Sequence, residues 1–183
     1  MHPRAVAEED LIIHCKTGSL KHQEMLYKHF YGYAMSISLR YCITRDDALE
    51  VTNDAFIKAF KSINSFNNDK PFKAWLRAII VNTAIDRRRK DLKLLQNTNL
   101  QDAATLSCDI TVFEKLNAHD ILKLMQQLPP VQLTIFNLYE IDGYSHDEIA
   151  KMLALSPSSS RVYLARAKEK LRSIINQEQQ SHG

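Results

Sequence analysis

Residues 144–171 read "YSHDEIAKMLALSPSSSRVYLARAKEKL", and two helix starts lie within them. Ser145 and Glu148 stand at the S-x-x-E spacing of a capping box, in which each side chain satisfies a backbone amide that the helix leaves unpaired. Ile149, Met152 and Leu153 then supply the apolar face of a short helix. Only Ala154 and Leu155 follow before Ser156, which is placed to cap a second helix with Pro157 at its first position, where a missing N–H costs nothing. Two helices joined by so short a turn cross at a large angle, the helix-turn-helix arrangement.

In that arrangement the second helix enters the DNA major groove by its N-terminal end. Serine competes for backbone hydrogen bonds and weakens a helix interior, so a run of it needs a reason. DNA supplies one: Ser156, Ser158, Ser159 and Ser160 let the backbone approach and can bond phosphates or base edges. Arg161 reaches a base or phosphate, and Tyr163 and Arg166 are grouped with it. Arg166, Lys168, Lys170 and Arg172 screen the backbone, while Val162, Leu164 or Ala165, and Leu171 pack inward. An ordinary surface helix with solvated charges is the competing reading.

The rest of the chain is consistent with a nucleic-acid partner in the distribution of charge rather than in its sum. The 183 residues carry a formal charge of +3. Between Pro71 and Lys93, however, seven Lys and Arg face two Asp, and between Arg161 and Arg172 five face one Glu. Two basic stripes are an electrostatic footprint. Cys15, Cys42 and Cys108 are odd in number and form no CxxC pair, as in a reduced, cytosolic chain. Glu8, Glu9 and Asp10 stand where a secretory signal would be apolar, and no apolar run reaches membrane-spanning length, so a soluble, cytoplasmic protein without membrane insertion is expected.

Helical periodicity runs almost throughout, with no alternating strand. Helices are expected over 5–15, 20–42, 46–63, 70–90, 115–128, 130–141, 145–153 and 157–176. Gly18, Gly143 and Pro129-Pro130 act as breaks, and Asp69-Lys70-Pro71 as a helix start. The polar, small-residue stretch after Asp91 reads as a flexible linker. The expected fold is therefore all-α: two small helical domains, 1–90 and 115–176, joined by a linker at 91–114, with a tail at 177–183.

Several motifs now converge. Leu128-Pro129, Phe136 and Leu138, Gly143-Tyr144-Ser145, Glu148-Ile149-Ala150, Leu153, Ser156 and Arg166-Ala167 resemble region 4 of the sigma-70 superfamily, in its short extracytoplasmic-function (ECF) class. Ala154 occupies a turn position where the family often has glycine, and the recognition helix departs from the family's usual run. Independently, "DDALEVTNDAFIKAFKSINSF" and "KPFKAWLRAIIVNTAIDRRRK" are similar to the polymerase-docking and promoter-melting helices of region 2. Two resemblances in the expected order are more specific than either alone.

Glu50, Asn53, Asp54 and Ile57 share one helical face, with Ala55, Phe56 and Ala59 on the neighbouring one. A solvated acidic face is one reading; the resemblance implies docking on the beta-prime clamp helices of core RNA polymerase, with the beta flap as a second polymerase contact. Farther on, Phe72, Trp75, Leu76, Ile79 and Thr83 recur as a largely core stripe. Asn82 lies near the face of Trp75, where an amide needs a partner. That partner is either a neighbouring helix or, as the resemblance implies, a base flipped from the minus-ten element, with Phe66 and Ile79 lining the pocket. Arg87, Arg88, Arg89 and Lys90 exceed what capping a helix C-terminus needs, and with Lys73 and Arg77 they would line a phosphate path.

The resemblance thus implies a non-enzymatic initiation factor whose partners are core RNA polymerase and promoter DNA, read at the minus-ten element by the first domain and at the minus-thirty-five element by the second. The class also admits an anti-sigma factor as a partner. No nucleotide, nucleophile or metal motif is present, and neither a cofactor nor a metal is expected. Cys15, His22 and His29, seven residues apart, lie about 10 Å from one another along a helix, too far to share one ion. A free-standing helix-turn-helix regulator acting without polymerase, and a protein-binding helical adaptor, are the rival readings.

Overall fold

The computed structural model describes residues 8–95 and 123–181, with side chains described outside 90–95 and 178–181. Every regular element among the described residues is helical: α1 (Glu8–Lys16), α2 (Leu20–Tyr41), α3 (Arg45–Ser62), a 3-10 turn (Ile63–Ser65), α4 (Phe72–Leu95), α5 (Pro130–Phe136), a π-helical turn (Asn137–Ile141), α6 (His146–Leu153) and α7 (Pro157–Ser181). Of the helix expected at 115–128, residues 115–122 lie outside the described residues, as does most of the linker at 91–114; residues 123–125 are helical, and Leu124, Met125 and Leu128 are buried. Where they are described, α4 carries on to Leu95 and α7 runs through the segment expected as a tail. Cys108 also lies outside them.

Packing divides the chain into two compact units, Met1–Ser38 with Asp46–Thr83, and Leu39–Arg45 with Ala84–Gly183. The division falls inside α2 and α4. In the first unit α1 opens with Glu8, Glu9 and Asp10 and closes with His14 and Lys16, the charge order that a helix dipole favours. Gly18, at φ 81°, breaks the chain before α2. Leu26, Phe30, Ala34 and Ile37 of α2 are buried at three- and four-residue spacing, which builds one apolar stripe. Small residues on α3, Ala48, Ala55 and Ala59, are buried with Val51 and Phe56. The seam is tied by Thr52, whose hydroxyl lies 2.8 Å from both Ser38 Oγ and the Ala48 carbonyl. Phe30 and Phe72 meet at 5.0 Å, bringing in α4.

The second unit is built around the helix-turn-helix. The helix expected over 130–141 is interrupted after Phe136: the amide of Asp142 reaches back five residues to the Asn137 carbonyl at 2.9 Å, the signature of a π turn. Asn137 is buried, and its amide nitrogen donates to the carbonyls of Leu133 and Arg40. Ile149, Ala150 and Leu153 of α6 face inward. On α7 the inward set is Ser160, Leu164, Ala167, Leu171, Ile174 and Ile175. Of the residues expected there, Leu164 and Leu171 are buried while Val162 and Ala165 are only half-buried.

Candidate nucleic-acid interface

The capping box forms as spelled. The Ser145 amide donates to Glu148 Oε2 at 2.8 Å, and Ser145 Oγ accepts from the Glu148 amide at 3.3 Å. The Ser145 amide, and then the Ser145 hydroxyl, which donates to the same Glu148 Oε2 at 2.7 Å, hold the Glu148 carboxyl below the usual carboxylate range. The turn is made by Ala154 at φ 56°, ψ 45°, a left-handed conformation that L-residues rarely adopt. It lets the Leu155 amide bond the Ala150 carbonyl at 2.9 Å, closing α6.

Ser156 caps α7 by accepting from the Ser159 amide at 3.0 Å, and its hydroxyl lies 2.8 Å from those of both Ser158 and Ser159. Ser156, Ser158 and Arg161 are exposed, and Ser159, Tyr163 and Arg166 half-buried. Ser160 corrects the expectation that the whole serine run faces DNA. It is fully buried, and its Oγ lies 2.9 Å from His146 Nδ1. The helix repeat puts position 160 on the stripe of Leu164, Ala167 and Leu171, so it points into the unit. Burial, and then the Arg161 guanidinium, hold the His146 imidazole below its ordinary range, and its ring stacks on Tyr139 at 4.5 Å. Nothing in the sequence pattern marked His146; only the pairing of a buried hydroxyl with it does.

In the first unit, Glu50, Asn53, Asp54 and Ile57 are all exposed on the outer face of α3, with Leu49 beside them. Ile57 is 51% exposed and Leu49 38%, two aliphatic side chains turned outward beside the polar residues of α3. Asn53 Oδ1 accepts a hydrogen bond from Tyr27 Oη at 2.9 Å, orienting its amide.

On α4 the structure separates residues that the sequence reading grouped. Trp75 and Ile79 are half-buried and Asn82 exposed, so Asn82 is no core amide held by a neighbouring helix. These three share one arc. Lys73 lies about 180° and Arg77 about 140° round the helix from Asn82, at about 100° per residue. Phe66 does not wall an open pocket beside Asn82. It is 5% exposed, with its ring against Phe72 and Trp75 at 5.3 and 5.2 Å. The aromatic residue on the arc of Asn82 is Trp75. Lys16, which sequence reasoning passed over, fastens the loop that carries Phe66: its ammonium donates to the Phe66 carbonyl at 3.0 Å and to Asn68 Oδ1 at 2.9 Å. A cavity of about 450 Å³ borders Phe66 on the side of α1. Its charged lining is Glu8, Glu9 and Asp69 against Lys70, a net negative surface that does not suit a phosphate.

The basic run at the end of α4 is also divided. Arg88 is 7% exposed and donates to the Tyr41 carbonyl at 3.5 Å. It therefore does not line a phosphate path, because its place on the helix turns it inward. Arg89 is half-buried, and its guanidinium holds the Met152 carbonyl in the last turn of α6 through two nitrogens, where a cation complements the helix dipole. Arg87 is half-buried. Among the described residues no three His, Cys, Asp or Glu side chains gather as a metal site, and no helix is long and apolar enough to cross a membrane. Cys15 and Cys42 are buried free thiols, and burial pushes the Cys15 thiol up to about 11.

This geometry can be set beside known proteins. Residues 26–93 match the family model of sigma-70 region 2, and residues 118–171 that of sigma-70 region 4. The chain is 26% identical to the ECF RNA polymerase sigma-E factor of Haemophilus influenzae, over 93% of its own length and 96% of that protein's. It is 26% identical to the Escherichia coli K12 protein of the same name, over 90% and 92%. Among solved structures, the Bartonella quintana sigma factor RpoE, determined with the anti-sigma factor NepR, shares the fold at a TM-score of 0.50 and 18% identity, over 86% of this chain and 98% of that one. With both regions matched in order and full-length relatives of one class, the chain belongs to the sigma-70 family of sigma factors, in its ECF class.

Proposed function

We infer that this protein is a transcription initiation factor: it binds core RNA polymerase, directs it to promoters and promotes melting there, while the chemistry of RNA synthesis stays with the polymerase. The observation that carries this reading is the outer face of α3. Exposed Ile57, flanked by exposed Glu50, Asn53 and Asp54, stands in the same chain as a fully capped helix-turn-helix. An aliphatic side chain among carboxylates and an amide suits docking on the beta-prime clamp helices, a contact that a regulator acting on DNA alone does not make.

The remaining roles follow from chemistry. Asn82, with Ile79 and Trp75 on one arc of α4, offers an amide beside apolar and aromatic surface, which suits a base displaced from the minus-ten element. Lys73, Arg77 and Arg87 contact phosphates. Ser156, Ser158, Ser159, Arg161, Tyr163 and Arg166 address the minus-thirty-five major groove, and the second unit meets the beta flap. An anti-sigma factor is a further partner, as for the Bartonella protein of the same fold. All these partners place the protein in the cytoplasm.

The test is transcription from a genomic fragment library by purified core polymerase, with and without the protein. New start sites sharing upstream elements are the expected result. Neither stimulation nor core binding would overturn the reading in favour of a free-standing regulator.

A further inference from the structure

The helix that reads DNA needs its rotational setting fixed, and the structure places an unusual device where that setting is made. Ser160 sits in the first turn of α7, immediately before exposed Arg161, and is fully buried. A buried hydroxyl requires a partner. Its partner is His146, the first residue of α6, through Nδ1 at 2.9 Å. The same imidazole stacks on Tyr139 of the π turn at 4.5 Å with an interplanar angle of 23°. One ring therefore ties three segments together. Its charged surroundings come from each of them: Arg161 and Lys168 on α7, Asp147 on α6, and Glu140 on the π turn, with Glu140 itself paired to Lys168 at 2.7 Å.

The consequence for reading is geometric. Side-chain tips on a helix lie about 5–6 Å from its axis, so a rotation of about 10° moves them by about 1 Å. Hydrogen bonds to base edges tolerate only about half that range of distance, whereas attraction to a phosphate falls off far more gently. A slip of α7 therefore costs sequence discrimination before it costs general affinity for DNA.

Resting on the promoter-reading role inferred above, we propose that His146 is a positioning residue for promoter recognition: through the Ser160 hydroxyl it fixes the rotational setting of α7, and so the aim of Arg161, without itself touching a base. The His146–Ser160 pair also explains why the third serine of the run differs from the first two. Ser158 is exposed and Ser159 half-buried at the N-terminal end of α7, whereas Ser160 belongs to its mounting.

The experiment uses holoenzyme reconstituted with wild-type protein, H146A, H146N, S160A and the double variant H146A/S160A. The probes are a duplex carrying the upstream element recovered from the transcription experiment and the same duplex with that element scrambled. Expected for H146A is a fall of about tenfold in the ratio of specific to scrambled affinity, with scrambled-duplex and core-polymerase affinities within twofold of wild type. H146N, whose amide can occupy the place of Nδ1, recovers the ratio to within about threefold. S160A, which removes only a hydroxyl and keeps the test open should H146A fail to fold, lowers the ratio as well, and the double variant is no worse than the poorer single, as expected for one shared interaction. A ratio within twofold of wild type in both H146A and S160A overturns the proposal. Equal losses on both duplexes overturn it too, because they mark a damaged fold rather than a changed aim. If wild-type holoenzyme itself does not prefer the specific duplex, the promoter-reading role fails, and this proposal with it.

Discussion

Replacing Ala154 with glycine should stabilise the protein, and the size of the gain can be worked from the backbone alone. Ala154 holds φ 56° and ψ 45°, and its side chain is exposed, so removing the methyl group loses no packing. An L-residue in the left-handed region costs about 1–2 kcal/mol. Glycine relieves that strain but restores unfolded-chain entropy worth about 0.4–1 kcal/mol. The net gain is about 0.5–1 kcal/mol, which for a chain of this size raises Tm by about 1–4 °C. Gly143 provides the mirror experiment. It holds φ 76°, and a Cβ built there meets nothing within 4 Å, so G143A changes only the backbone term and should lose about what A154G gains. Urea and thermal unfolding followed by helical circular dichroism measure both. Destabilisation by A154G, or a shift of both variants in the same direction, would refute the reasoning, because left-handed strain would then not be what sets the stability of these turns.

Further outcomes are expected along the two interfaces. I57D should weaken core-polymerase binding by tenfold or more, on the order of 1.4 kcal/mol, with stability within about 0.5 kcal/mol of wild type; equal binding would remove α3 from the docking surface. R161A should lower promoter-specific initiation by roughly tenfold to a hundredfold, the worth of about 1–3 kcal/mol for a base contact, and leave core binding intact; unchanged run-off transcription from the mutant would sink that assignment. N82A should reduce holoenzyme affinity for a single-stranded oligonucleotide carrying the minus-ten element by roughly fivefold to tenfold, as for one hydrogen bond of about 1–1.5 kcal/mol, and unaltered affinity would return Asn82 to the role of a surface amide. The Glu148 carboxyl is depressed in the folded state by its bonds to Ser145, so its contribution is fully present above its unfolded value near 4.5 and is lost as pH falls through the lower folded value. The stability advantage of wild type over E148Q should therefore shrink as pH drops from 6 to 3, and a constant difference across that range would contradict the capping geometry.

What could be read in the sequence was what is decided locally. The capping box at Ser145 and Glu148 and the Ser156-Pro157 start are each fixed by residues three or fewer positions apart, and both form. The helices of the first unit follow from their periodicity. The π turn was not legible, because no local signal marks Asn137, which is buried and bonds the distant Arg40 carbonyl. Ser160 was misjudged for a related reason: composition marks serine as a surface residue, and only the helical phase shared with Leu164 and Leu171 reveals which serine of the run turns inward. Arg88 shows the same limit, since four basic residues in succession cannot all lie on one face of a helix. Lys16 carried no signal at all, as its bonds cross fifty residues of chain.

The two-sidedness of α3 bears on how this protein tolerates change. Its inner face is built largely of alanines with Val51, Thr52 and Phe56, where enlarging a side chain forces the packed seam apart. Its outer face carries Glu50, Asn53, Asp54 and Ile57, where no such seam exists. In a saturation scan of residues 45–62, protein abundance should therefore oscillate with a helical period. Transcriptional output divided by abundance should oscillate with the same period in opposite phase, so that the positions most permissive for folding are the least permissive for gene expression.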